Sequence, residues 1–65
     1  MTLYDKLRDI FEREKAKSDK NFVILSINKL SMDLEESKQD IHDSLGELAK
    51  EYNLLYTWDS VRILK

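Results

Sequence analysis

From Leu3 the apolar positions Leu3, Leu7, Ile10 and Phe11 return at intervals of three and four, the period of a helix with one buried face. Thr2 stands where an N-cap belongs, and Asp5 three residues on supplies the reciprocal half of a capping box, so the pattern predicts a helix over residues 2–18. The polar run Ser18-Asp19-Lys20-Asn21 breaks it. Phe22-Val23-Ile24-Leu25 is then continuously apolar, too short for a helix by itself and made of strand formers, which predicts a short strand buried on both faces. Ser26 is placed to cap a second helix with Ile27, Leu30, Ser31 and Leu34 on one side, ending at Glu35-Glu36. Ser37, with Asp40 three residues later, repeats the capping signature and opens a third helix. Its inward stripe is Ile41, Leu45, Leu48, Ala49 and Tyr52, and Asn53 suits a left-handed residue at its end.

The last segment reads as a hairpin, because Leu54-Leu55-Tyr56-Thr57-Trp58 and Val61-Arg62-Ile63-Leu64-Lys65 are separated only by Asp59-Ser60. A two-residue turn there sets Trp58 opposite Val61, Thr57 opposite Arg62, Tyr56 opposite Ile63 and Leu55 opposite Leu64. Side chains alternate, so Trp58, Val61, Tyr56 and Ile63 share the face that packs on the helices, while Leu55 and Leu64 pair on the other face. Continued by Val23 or Leu25, that pair predicts an apolar strip where a second copy or a partner protein docks. Trp58, beside the turn, either tucks onto the helices or anchors a partner.

Composition narrows the chemistry. The chain has 65 residues, no cysteine, no proline, one histidine and one glycine, Gly46. That is one domain over residues 1–65, with no linker or repeat, no disulfide framework, no thiolate zinc site and no cysteine nucleophile. The absence of cysteine suits a reducing compartment, and cytoplasmic location is the expectation. No apolar run approaches the roughly 18 residues of a membrane span, and the charged start is no signal peptide. Charged residues make up 37% with a net of -2, a mixed surface rather than a strongly basic one. Residues 21–36 carry one positive and three negative groups and residues 37–53 two and four, so both middle segments are net negative.

Counting from Leu30, small Ser31 follows at once, then Leu34, Ser37, Ile41, Leu45 and Leu48 at helical spacings, then Tyr52, Leu54 and the hairpin. In this pattern the chain resembles the winged helix-turn-helix superfamily. The resemblance implies an α+β fold with a three-helix core, a short antiparallel sheet and a wing of two-residue turn. It implies that Ser31 lets the second helix approach the third and that Ser37 opens the recognition helix. Where the family usually has glycine in the turn this chain has Glu35, which must either accept a left-handed backbone or take a different turn. Independently of the family, two short helices joined by three residues bury Ile27, Leu30, Leu34, Ile41, Leu45 and Leu48 together only if they cross steeply.

The resemblance places the base-contacting positions on Lys38, Gln39, His42, Asp43 and Gly46. Gln39 is able to read an adenine edge, Lys38 a phosphate or guanine, and His42 a phosphate or base. Arg62 and Lys65, the cations of the hairpin, fill the wing's usual role on the phosphate backbone or are a solvated face. Asp43 opposes this reading, with Asp40, Glu47 and Glu51 adding negative charge nearby. Gly46 lies on the outward side of the third helix, either for close approach of a partner or as a tolerated glycine. Two functions follow: a sequence-specific double-stranded DNA-binding regulator, or a protein-interaction module that reuses the fold with an acidic third helix. No catalytic constellation is visible, since adjacent His42, Asp43 and Ser44 diverge by about 100° each around a helix. The scattered carboxylates lack a calcium loop, so neither metal nor cofactor is expected. A core this small leaves little room for a small-molecule pocket of about 300 Å³, and no such substrate is expected.

Overall fold

The computed structural model describes all 65 residues, Met1–Lys65. The chain runs through α1 (Leu3–Lys17), β1 (Phe22–Ser26), α2 (Ile27–Leu34), α3 (Lys38–Leu48), β2 (Asn53–Tyr56) and β3 (Ser60–Leu64) in that order. The strands form one antiparallel sheet in the order β1-β3-β2. This α+β arrangement is compatible with the winged-helix expectation. No helix is long and apolar enough to cross a membrane.

Local chemistry starts each helix. The Asp5 amide donates to Thr2 Oγ1 at 3.2 Å and the Thr2 amide to Asp5 Oδ2 at 3.4 Å, closing the expected capping box of α1. Ser26 accepts the Lys29 amide at the start of α2, and Ser37 accepts the Asp40 amide at the start of α3. Helix α2 ends on Glu35, whose φ of 55° and ψ of 42° are left-handed, so the turn keeps the conformation that glycine usually supplies. Ser31 holds it. Its carbonyl accepts the amides of Glu35 and Glu36, and its hydroxyl donates to the Glu36 carbonyl.

The helices cover one face of the sheet. Leu7 and Phe11 of α1, Ile27 and Leu30 of α2, Ile41, Leu45 and Leu48 of α3, Val23, Val61 and Ile63 of the sheet, and Tyr52 form one buried cluster. At about 1.5–3 kcal/mol for each large apolar side chain removed from water, this cluster is the main source of stability. Tyr52 ties α1 to the end of α3: its ring meets Phe11 edge-on at 5.5 Å, and its hydroxyl donates to Glu12 at 2.7 Å. No side-chain polar atom is left buried without a partner.

Five expectations need correction. Helix α3 stops at Leu48, leaving Ala49 exposed, and Asn53 begins β2 with no left-handed residue there. The turn instead closes through the amides of Glu51 and Tyr52, which donate to the Leu48 carbonyl. Strand β1 is buried on one side only, because nothing covers the outer face of the sheet, and Ile24 is 54% exposed. The hairpin turns one residue earlier than Asp59-Ser60. Tyr56 pairs with Val61, Leu55 with Arg62 and Leu54 with Ile63, and the Thr57 amide donates to the Ser60 carbonyl at 2.8 Å, so the two tip residues are Trp58 and Asp59. Thr57 causes the shift: its hydroxyl accepts the amides of Asp59 at 3.4 Å and Ser60 at 3.2 Å. Leu64 consequently lies opposite Asn53 and Phe22, and the predicted Leu55–Leu64 pair does not form.

Candidate interaction surface on α3 and the hairpin tip

With Ile41, Leu45 and Leu48 turned inward, steps of about 100° per residue point Gln39, Asp43, Gly46 and Glu47 outward and put Lys38 and His42 on one flank. The hairpin tip lies along that flank. His42 stacks on the Trp58 ring with centroids 4.7 Å apart and planes 8° from parallel, and its Nε2–H donates to the Trp58 carbonyl at 3.2 Å. Tyr56 contacts the same imidazole, centroids 5.6 Å apart. One turn earlier, the Lys38 ammonium donates to Asp59 Oδ1 at 3.0 Å and sits 5.8 Å from the Trp58 ring centre. Thr57 shapes the tip, and the Asp59 carbonyl accepts the first amide of α2, from Ile27, at 2.9 Å. The tip is thus tied to both α2 and α3.

Trp58 is nevertheless 52% exposed, because both groups that hold it lie on the α3 flank. Trp58 lies against α3 as one of the two expectations had it, but not opposite Val61: Tyr56 takes that place, and the earlier turn lifts Trp58 out of the ladder.

The surrounding charge is acidic. Lys38 is neutralised by Asp59, and Gln39 Nε2 donates to Asp43 Oδ1 at 3.1 Å, so both polar reading positions already have partners. His42 Nε2 is committed to the backbone. Asp40, Asp43 and Glu47 remain on the exposed side of α3, with Lys50 3.4 Å from Glu47 as the nearby cation. Ser37 spends its side-chain oxygen on the helix cap. Gly46 faces open space, since a Cβ built there meets nothing within 4 Å.

The cations expected on the wing lie elsewhere. Arg62 projects from the outer sheet face, its guanidinium carbon 5.5 Å from the Phe22 ring centre. Lys65 is at the far end of β3 from the tip, its amide donating to the Asn21 carbonyl and its ammonium to the Ser18 carbonyl. The structure brings Lys38, His42 and Trp58 together and separates them from Arg62, Lys65, Leu55 and Leu64. Tyr56 and Asp59 join the surface although no local pattern singles them out, since both contacts span 14 residues or more of chain. No family model, curated protein or solved structure matches the chain.

Elsewhere, an open cleft of about 290 Å³ lies between α1 and α2, floored by Ile10, Leu25, Leu30 and Leu34 and rimmed by charges of both signs. No group of three His, Asp or Glu side chains is arranged to hold a metal ion.

Proposed function

We propose that this chain is a winged helix-turn-helix module that works by binding another protein through Trp58 and the exposed side of α3. The observation that carries the reading is the state of Trp58: a large aromatic ring, fixed by His42 and Lys38 and half open to solvent, held against a helix whose exposed side carries Asp43 with no ion-pair partner. A rigid aromatic anchor with little side-chain entropy left to lose is the usual centre of a protein contact. Asp40 and Asp43, which have no ion-pair partner, favour a partner segment with lysine or arginine beside an apolar residue.

The second reading, a double-stranded DNA-binding regulator with α3 in the major groove, is favoured by the order of the elements and by the exposed Gln39 at the start of α3. Electrostatics ranks it lower. Phosphates approaching α3 meet Asp43 and Glu47, while Lys38 must give up Asp59 to reach them and Arg62 faces away.

Trp58 is the only tryptophan, so its fluorescence tests the reading. A lysine- and arginine-rich amphipathic peptide is expected to change Trp58 emission at about 50 mM salt, and Asp43→Lys to abolish the change. Emission indifferent to the peptide but altered by a mixed-sequence duplex reverses the order of the two readings.

A further inference from the structure

The outer face of the sheet differs in chemistry from the α3 surface in nearly every respect. Side chains alternate along each strand, so Phe22 and Ile24 of β1, Arg62 and Leu64 of β3, and Asn53 and Leu55 of β2 project away from the helices. Ile24 and Leu55 are each more than half exposed. Arg62, on the central strand, stands between Ile24 and Leu55 with its guanidinium carbon 5.5 Å from the Phe22 ring centre, the Lys20 ammonium lies 5.9 Å from the same ring centre, and no strand position on this face holds a carboxylate.

One molecule therefore carries an apolar face with cations and, on another side, an exposed aromatic anchor with carboxylates. We infer that the outer sheet face of one copy docks on the Trp58 and α3 surface of a second copy, head to tail. This rests on the protein-contact reading of Trp58 and names its partner. Charge decides between symmetric and head-to-tail pairing. A two-fold contact of sheet face on sheet face sets Arg62 and Lys20 against their own copies with no carboxylate between them, which is repulsive. Head to tail, Arg62 with Ile24 and Leu55 on its two sides meets the Trp58 ring, and the facing charge is Asp43 of α3 rather than a second arginine. Such a contact uses different surfaces on its two sides, so it leaves a free surface at each end and extends into open chains unless a ring closes.

The contact is small. Three strands about 4.8 Å apart and about five residues long give a face of roughly 14 by 16 Å. At roughly 220 Å² per side it falls below the size of stable protein interfaces, so the association is weak, reversible and concentration-dependent.

Sedimentation of the whole chain from about 0.05 to about 1 mM at about 50 mM salt is the test. The expected result is a weight-average mass that climbs beyond twice the 7.8 kDa of one chain and falls back when salt is raised to about 0.5 M. Arg62→Glu removes the basic face, and Asp43→Lys spoils the acidic one while touching only Gln39 in the fold. Each variant alone is expected to remain a single chain with the wild-type amide spectrum. An equimolar mixture of the two is expected to associate again, because the unaltered sheet face of Asp43→Lys meets the unaltered α3 face of Arg62→Glu and the two reversed faces are also opposite in charge. A wild-type mass fixed at one chain up to about 1 mM, self-association undiminished by Arg62→Glu, or a mixture no heavier than its components overturns the inference. If the mass stays fixed while the basic peptide still alters Trp58 emission, the self-docking fails and the protein-contact reading survives; if both are negative, both fail.

Discussion

His42 lies flat on Trp58, 4.7 Å between ring centres, while its Nε2–H donates to the carbonyl of the same residue. Two interactions of different kinds thereby bind the hairpin tip to α3 across 16 residues of chain. Since a carbonyl only accepts, the proton of that bond is carried by Nε2. Replacing Trp58 by alanine removes the stack and the cover over Lys38. The expected loss is about 1 kcal/mol in urea unfolding, with faster amide exchange at the hairpin tip and the first turn of α3. Unchanged exchange at the tip would mean that the stack does not hold it.

The Lys38–Asp59 pair invites a different expectation. Its distance is short, but the Asp59 side chain is 73% exposed, so solvent and salt screen the attraction. Asp59→Asn is therefore expected to change stability by less than about 0.5 kcal/mol while freeing the Lys38 charge. A loss of several times that, read from the urea midpoint, would show that the pair is a structural clamp.

Tyr52 gives the chain a predictable alkaline limb. Burial first, and then its hydrogen bond to Glu12, push its phenol above the ordinary tyrosine value, against an opposing pull from Arg8. A raised folded-state pKa contributes stability that is complete below the unfolded value near 10 and is lost as pH rises through the folded value. Tyr52→Phe is expected to cost about 1 kcal/mol at neutral pH and to flatten the fall in stability above pH about 10. Parallel pH profiles for the two proteins would remove Tyr52 as the cause.

Backbone geometry separates two positions that the sequence leaves alike. Glu35 holds the only positive φ, a conformation that costs a residue with a Cβ about 1–2 kcal/mol, whereas Gly46 is helical and open. Glu35→Gly relieves that strain at the expense of greater unfolded-chain freedom, for a net gain of roughly 0.5–1 kcal/mol. Gly46→Ala is expected to add about 1 kcal/mol through helix propensity and to leave partner binding intact. Weakened binding in a stabilised Gly46→Ala protein would place that backbone in the contact.

The difference between what was legible in the chain and what was not follows the range of the interactions. The caps Thr2, Ser26 and Ser37 act on amides three residues away, and the inward stripes Leu7/Phe11 and Ile41/Leu45/Leu48 are properties of single helices, so both are written locally. The run Phe22–Leu25 looks doubly buried because a neighbouring layer leaves no mark in five residues; only the absence of a second layer of helices exposes Ile24. The hairpin register slipped because Asp59-Ser60 carries no strong turn signal, while Thr57 organises the tip through its hydroxyl. That slip hid the candidate surface as well, since Trp58 reaches His42 only when it stands at the tip. Lys38, Gln39, His42 and Asp43 were legible as exposed positions of α3; that Asp59 neutralises Lys38 was not.

The central claim, that the α3 and Trp58 surface meets protein rather than DNA, is tested most directly by amide NMR titrations. One uses a mixed-sequence duplex at about 50 and about 200 mM salt, and the other a basic amphipathic peptide at the lower salt. The account predicts no salt-dependent shifts over residues 37–46 with the duplex, and shifts centred on His42, Asp43 and Trp58 with the peptide. Duplex-induced shifts across residues 37–46 that fade at the higher salt, with none from the peptide, would contradict it.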